Sequence, residues 1–132
     1  MKVTADTNVL VRGVVHDNDE QAEIADKLLR TAEMIAITVP CLCELAWVLR
    51  SVYGFKRTDV AASIRALLVA QNVELNRPVV EAGLSALDAG GDFADGAIAY
   101  EGKWLGAETF VSFDKKAVEM LREQGIAARI LP

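Results

Sequence analysis

The chain has 132 residues, 52% of them hydrophobic and 25% charged, with 14 Lys and Arg against 19 Asp and Glu for a net charge of −5. That suits one compact domain spanning residues 1–132, and the acidic balance excludes a protein that grips nucleic acid through a broad basic surface, though not an enzyme that must release its substrate. No apolar run approaches the ~20 residues of a membrane span, and Asp6 arrives before a signal-peptide core could form, so a cytoplasmic protein with no membrane association is expected.

Lys2-Val3-Thr4-Ala5 suits a short strand ending at Asp6, and Asp6-Thr7-Asn8 supplies helix-capping side chains before the apolar run Val9-Leu10-Val11. His16-Asp17-Asn18-Asp19 reads as a turn, after which Ile24, Leu28 and Leu29 at helical spacing predict an amphipathic helix over 20–32. The β-branched, apolar stretch 34–39 predicts a buried strand that stops at Pro40. A nearly all-round apolar helix over 41–53 follows and is ended by Gly54. Thr58 or Asp59 can cap a helix whose inner face is Val60, Ile64, Leu67 and Leu68, and 73–76 gives another short strand. Pro78 opens a helix through Leu87, Gly90-Gly91 breaks the chain, and Asp92 begins a helix to about Leu105. Residues 109–113 form the clearest strand, Asp114 caps a last helix to Arg122, Gly125 closes it, and 128–131 suits an edge strand. Strands alternating with helices at this spacing predict an α/β fold, a parallel sheet covered by helices on both faces.

In open parallel sheets, ligands bind beyond the carboxyl ends of the strands, which is where Asp6 and Asp114 stand. Each is equally what a helix N-cap needs. Asp92 and Asp95 are three apart at a helix start and share a face; Asp92 fits the cap better, while Asp95 lies one turn inside beside the small residues Gly96 and Ala97. Glu44 occupies a helix otherwise apolar except for Arg50 and Ser51, so it is expected to enter the core and there to need a cation or hydrogen-bond donors, or to be protonated; a salt bridge to a distant Arg would also serve. Three acids at the carboxyl side of a sheet and one on a buried helix would repel unless neutralised. A hard divalent cation does this, and Mg²⁺, with Mn²⁺ as the alternative, prefers such oxygen donors.

Other chemistries are poorly supplied. Cys41 and Cys43 have no His or Cys partners and read as ordinary buried thiols. His16, the single histidine, sits in a polar turn and builds no triad. A dinucleotide site wants a glycine-rich turn where Asp6-Thr7-Asn8 stands, and an aspartyl phosphatase wants a second aspartate two residues after Asp6.

Four segments in order resemble the PIN-domain family, most closely its VapC-like toxins of bacterial toxin–antitoxin pairs. They are Val3-Thr4-Ala5-Asp6-Thr7-Asn8-Val9-Leu10, Pro40-Cys41-Leu42-Cys43-Glu44-Leu45, Gly91-Asp92-Phe93-Ala94-Asp95-Gly96-Ala97-Ile98-Ala99 and Phe110-Val111-Ser112-Phe113-Asp114-Lys115-Lys116. The resemblance implies a three-layer α/β/α sandwich around a mainly parallel five-stranded sheet of order 3-2-1-4-5. It implies Asp6, Glu44, Asp95 and Asp114 as catalytic and metal-site acids, with Asp92 as an accessory. It also implies RNA cleavage, a homodimer, and a cognate antitoxin that inserts a segment across the site. Gly96 departs from the pattern, since many relatives carry alanine there.

On this reading the chain is an endoribonuclease in which Asp6, Glu44 and Asp114 hold Mg²⁺ directly or through water, and Asp95 completes the site, either binding a second ion or orienting the nucleophile. Thr7, Asn8 and Ser112 are candidates to orient those carboxylates, their other role being helix capping. Lys56, Arg57, Lys115 and Lys116 are candidate RNA phosphate contacts, or a solvated rim. The helices over 20–32 and 58–68 carry more apolar residues than a small sheet needs to cover it, which suits burial by a second copy or an antitoxin. The rival reading is a catalytically silent PIN-fold module that binds a protein partner.

Overall fold

A computed structural model describes residues 1–132, which form seven helices and five strands in two compact units, Met1–Asn76 and Arg77–Pro132. The first unit holds β1 (Lys2–Thr4), α1 (Thr7–Val14), α2 (Asp19–Thr31), β2 (Met34–Ala36), α3 (Val39–Ser51), α4 (Arg57–Val69) and β3 (Val73–Glu74). The second holds α5 (Arg77–Asp88), α6 (Phe93–Trp104), β4 (Phe110–Ser112), α7 (Lys115–Glu123) and β5 (Ala128–Ile130). No helix is long and apolar enough to cross a membrane.

All strand pairing is parallel, as alternating strands and helices require. In the first unit β2 is central, with Val3 opposite Ile35 and Ile35 opposite Val73. In the second, β4 pairs with β5, setting Phe110 opposite Ala128. The strands form the sheets β1-β2-β3 and β4-β5, which match the 3-2-1 and 4-5 parts of the expected order, with no β1–β4 ladder completing a five-stranded sheet. Strands of two or three residues give each ladder few hydrogen bonds, and β1 and β4 each keep one unpaired edge in these sheets.

Ile35, wholly buried, sits with Leu42, Leu45 and Leu49 of α3 and with Val60 and Ile64 of α4 among the largest buried side chains. The second unit buries Val80, Leu84, Leu87 and Phe93, and has a cluster of Ala86, Ala99, Val118, Met120, Leu121 and Ala128 with Phe110 and Ile126 packed against it. Gly96 has a structural reason. A Cβ there would run into the carbonyl oxygen of Ala82 and come within 2.6 Å of Ala86 Cβ, so the glycine lets α6 lie on the backbone of α5.

Several helix details differ from the sequence expectations. The strand before Pro40 ends at Ala36; Thr38 then caps α3 by accepting from Cys41 N, and Pro40 sits in the helix's first turn, where its missing N–H costs nothing. Lys56, and neither Thr58 nor Asp59, stands at the N-cap of α4, with no side-chain cap bond. Helix α2 buries Ala22 and Ala25 and leaves Ile24 64% exposed, and α1 comes close at Gly13, where a Cβ would lie 3.0 Å from Leu29 Cδ1. Helix α3 is not apolar all round. It buries Cys41, Leu42, Leu45, Ala46 and Leu49, while Glu44, Trp47 and Ser51 face outward.

Candidate metal centre

In the first unit, Asp6 stands at the N-cap position of α1 with extended backbone, φ −76° and ψ 158°, yet its side chain makes no capping bond. The carboxylate is exposed and uncommitted, so the capping role open to it on sequence grounds is not what it does. The turn around it is held from below. Thr7 is the one buried polar residue of the protein, and its Oγ1 donates to Cys41 Sγ at 3.7 Å; Cys41 Sγ in turn donates to the carbonyl of Ala5 at 3.7 Å. These contacts fasten the β1–α1 turn to the first turn of α3. Glu44 follows one helical turn after Cys41.

Burial pushes the Cys41 thiol above its ordinary pKa, the Thr7 bond opposes this, and the carboxylates of Asp6 and then Glu44 push it further up. Both acids therefore lie close enough to act on the same sulfur. The thiol stays protonated and can donate to Ala5, so Cys41 is buried as expected but is also a fastener, which residue type alone did not signal. Glu44 is exposed, correcting the expectation that it enters the core: the apolar residues of α3 occupy one side, and Glu44 lies on the other. Asn8 is exposed too, and Thr7 bonds to Cys41 and to neither carboxylate.

In the second unit, Asp92 holds the N-cap position of α6 without a side-chain cap bond, and Asp95 lies half-buried in the first turn of that helix. The Asp95 carboxyl is pushed above the usual carboxylate range first by burial, then by the charges of Asp92 and Asp114. Asp114 does cap its helix: Oδ1 accepts from Lys116 N at 3.0 Å and Ala117 N at 3.2 Å, while Ser112 Oγ accepts from Asp114 N at 3.0 Å. Both cap bonds fall on Oδ1, which fixes the carboxylate and leaves Oδ2 with a free coordination direction. Capping and ligation are thus compatible at Asp114.

None of the five acids forms an ion pair with Lys, Arg or His, and the salt bridge considered for Glu44 is absent. Lys115 reaches Glu119 at 3.9 Å, Lys56 and Lys116 are exposed, and Arg57 is half-buried. No group of three or more His, Cys, Asp or Glu side chains is already disposed to hold a metal ion. The donor chemistry nevertheless fits a hard cation: every candidate ligand is a carboxylate, and Asp95 carries an electrostatic burden from two like charges that no cation relieves.

A scan against protein families matches the PIN domain over residues 3–122, a stretch that runs through both units and includes all five acids. No curated protein matches the chain.

Proposed function

The chain belongs to the PIN-domain family, whose members share a nuclease-type fold and commonly depend on divalent metal ions, and from that premise we propose that it is a metal-dependent endoribonuclease. The observation that carries the reading is the set of acids that neither pair with cations nor serve only as caps: Asp6 makes no capping bond, and Asp95 is burdened by Asp92 and Asp114. Asp6, Glu44 and Asp114 are the metal-holding carboxylates, Mg²⁺ or Mn²⁺ the ion, Asp95 the fourth acid, and Asp92 an accessory. A bound divalent ion would supply an activated water and steady the charge that develops on the phosphate.

The chain's own contributions follow from the local geometry. Thr7 and Cys41 hold the turn that presents Asp6. The two backbone N–H groups at the start of α7 fix Asp114 Oδ1. The half-buried Asp95 carboxylate, more basic than an ordinary one, is suited to orient the attacking water and accept its proton. Lys56, Arg57, Lys115 and Lys116 contact RNA phosphates. The reading expects a single sheet of order 3-2-1-4-5, for which β1 and β4 have unpaired edges.

In its finer form the protein is a cytoplasmic VapC-like toxin, homodimeric and inhibited by a cognate antitoxin. A mostly apolar groove of about 340 Å³ between α1 and α2, lined by Val9, Ile24, Ala25 and Leu28 with Asn8, Arg12 and Gln21, supports a protein partner.

Attack by water requires no 2′-hydroxyl and leaves the phosphate on the 5′ end of the downstream fragment. End-group analysis of the products should find 5′-phosphates and 3′-hydroxyls. A 2′,3′-cyclic phosphate would show that the ribose itself attacked, and the proposed chemistry would be wrong.

A further inference from the structure

Arg12, near the end of α1, joins that helix to other parts of the first unit. Its Nε donates to Gln21 Oε1 of α2 at 2.7 Å, and one terminal guanidinium nitrogen donates to Asp17 Oδ1 in the α1–α2 turn at 2.8 Å. The same nitrogen reaches the Tyr53 hydroxyl at 3.5 Å, and that hydroxyl donates to Asp17 Oδ2 at 3.0 Å. Asp17 thus gives one oxygen to each partner, and Arg12, Asp17 and Tyr53 close a ring of bonds. Tyr53, two residues past the end of α3, is tied back to that helix by its N–H, which donates to the Val48 carbonyl at 3.3 Å. The bonds to Asp17 are charge-assisted, and the Arg12 side chain is only 28% exposed, which shields them in part from competing water.

The place of this ring gives it a use. Helices α1 and α3 both start near acids: Asp6 stands at the N-cap of α1, and Glu44 follows one turn after Cys41 in α3. Both end at the ring. At the acidic end Thr7 Oγ1 meets Cys41 Sγ at 3.7 Å, so the two helices are fastened near both ends, with Leu10 and Val11 of α1 buried between. Eight residues of helix are only ~12 Å long and marginal alone, so the direction of α1 is set by what holds its two ends. A helix released at its last turn can pivot about its first, and the Asp6 turn moves with it.

We propose that Arg12, Asp17 and Tyr53 form a clamp that positions the Asp6 and Glu44 carboxylates from the far ends of their helices. They are positioning residues and act through α1 and α3. The metal-binding consequence rests on the proposed reading of the two acids, whereas the mechanical part can be read without any metal, because Cys41 lies buried under the turn that carries Asp6.

Tyr53→Phe removes one hydroxyl and keeps the ring, Arg12→Ala removes the hub, and Arg12→Lys keeps its charge. In a Cys43→Ala background Cys41 is the only thiol. There the rate at which a maleimide labels Cys41 should rise several-fold with Tyr53→Phe and further with Arg12→Ala, beyond what the change in global unfolding measured in urea accounts for. Arg12→Lys should recover part of the protection. With Cys43 restored, calorimetric titration with Mn²⁺ should give a Kd raised by roughly 10-fold in Tyr53→Phe, the low end of the range for groups that orient metal ligands. Added Mg²⁺ should then restore much of the RNA cleavage that this variant loses. The inference is overturned if labelling rises no more than global unfolding explains, or if Tyr53→Phe and Arg12→Ala bind Mn²⁺ as tightly as a metal-binding wild type. A wild type that binds no Mn²⁺, with labelling still accelerated in the variants, would uphold the clamp and defeat the metal-centre reading. Metal binding by wild type with labelling unchanged in the variants would do the reverse.

Discussion

Asp95→Asn is expected to lose RNA cleavage by orders of magnitude while making the metal-free protein more stable at neutral pH. The two effects share a cause. Asp95 is half-buried in the first turn of α6, and burial, Asp92 and Asp114 all raise its pKa above the unfolded value. A carboxyl whose folded pKa is raised contributes stability that is fully present below the unfolded value of about 3.9 and is lost as pH rises through the folded one. At pH 7 the wild type therefore carries an unfavourable charge that asparagine lacks. The positive end of α6 opposes this by about 0.3–1 kcal/mol, so the net gain should be modest. The advantage of the variant in urea unfolding should narrow as pH is lowered toward 3 and vanish once Asp95 is protonated in both states. A variant that is less stable than wild type at neutral pH, or that cuts as fast, would remove Asp95 from the proposed role.

Divalent metal should reverse that order. An ion that binds only the folded protein adds about 2.7 kcal/mol at a hundredfold excess over its Kd, which for a chain of this length is roughly 10 °C in melting temperature. Mg²⁺ or Mn²⁺ should produce such a rise in the wild type and EDTA should cancel it, while Asp95→Asn and Asp6→Asn should respond much less. Asp6→Asn is the cleaner control, because the Asp6 side chain makes no capping bond whose loss would cloud the comparison. A wild-type melting curve indifferent to millimolar metal would contradict the proposed centre.

What could be read from residues alone divides along physical lines. Local signals succeeded where one short-range interaction decides the outcome, as at Asp114, which caps α7; Asp92 stands at the start of α6 as its spacing suggests but makes no cap bond. Periodicity was less informative where apolar residues outnumber the buried positions available. Ile24 follows the helical spacing of Leu28, yet α2 buries Ala22 and Ala25 and leaves Ile24 exposed. Glu44 reads as a misfit on a mostly apolar helix, but it does not enter the core, because α3 has an exposed side, shared with Trp47.

The fastening of Asp6 through Thr7 and Cys41 joins residues 34 positions apart, and no local pattern announces it. Strand pairing is likewise long-range. Parallel order was implied by the alternation of elements, whereas the division into two sheets depends on tertiary contacts that strands of two or three residues do not specify.

The most direct test of the account is the rate at which wild type and Asp6→Asn cleave a 5′-labelled single-stranded RNA with Mg²⁺ and with EDTA, alongside circular dichroism of both proteins. The account predicts cleavage by wild type only with Mg²⁺, and a variant with the same spectrum that is slower by orders of magnitude. Equal cleavage by a well-folded Asp6→Asn, or undiminished cleavage by wild type in EDTA, would contradict a metal-dependent nuclease centred on these carboxylates.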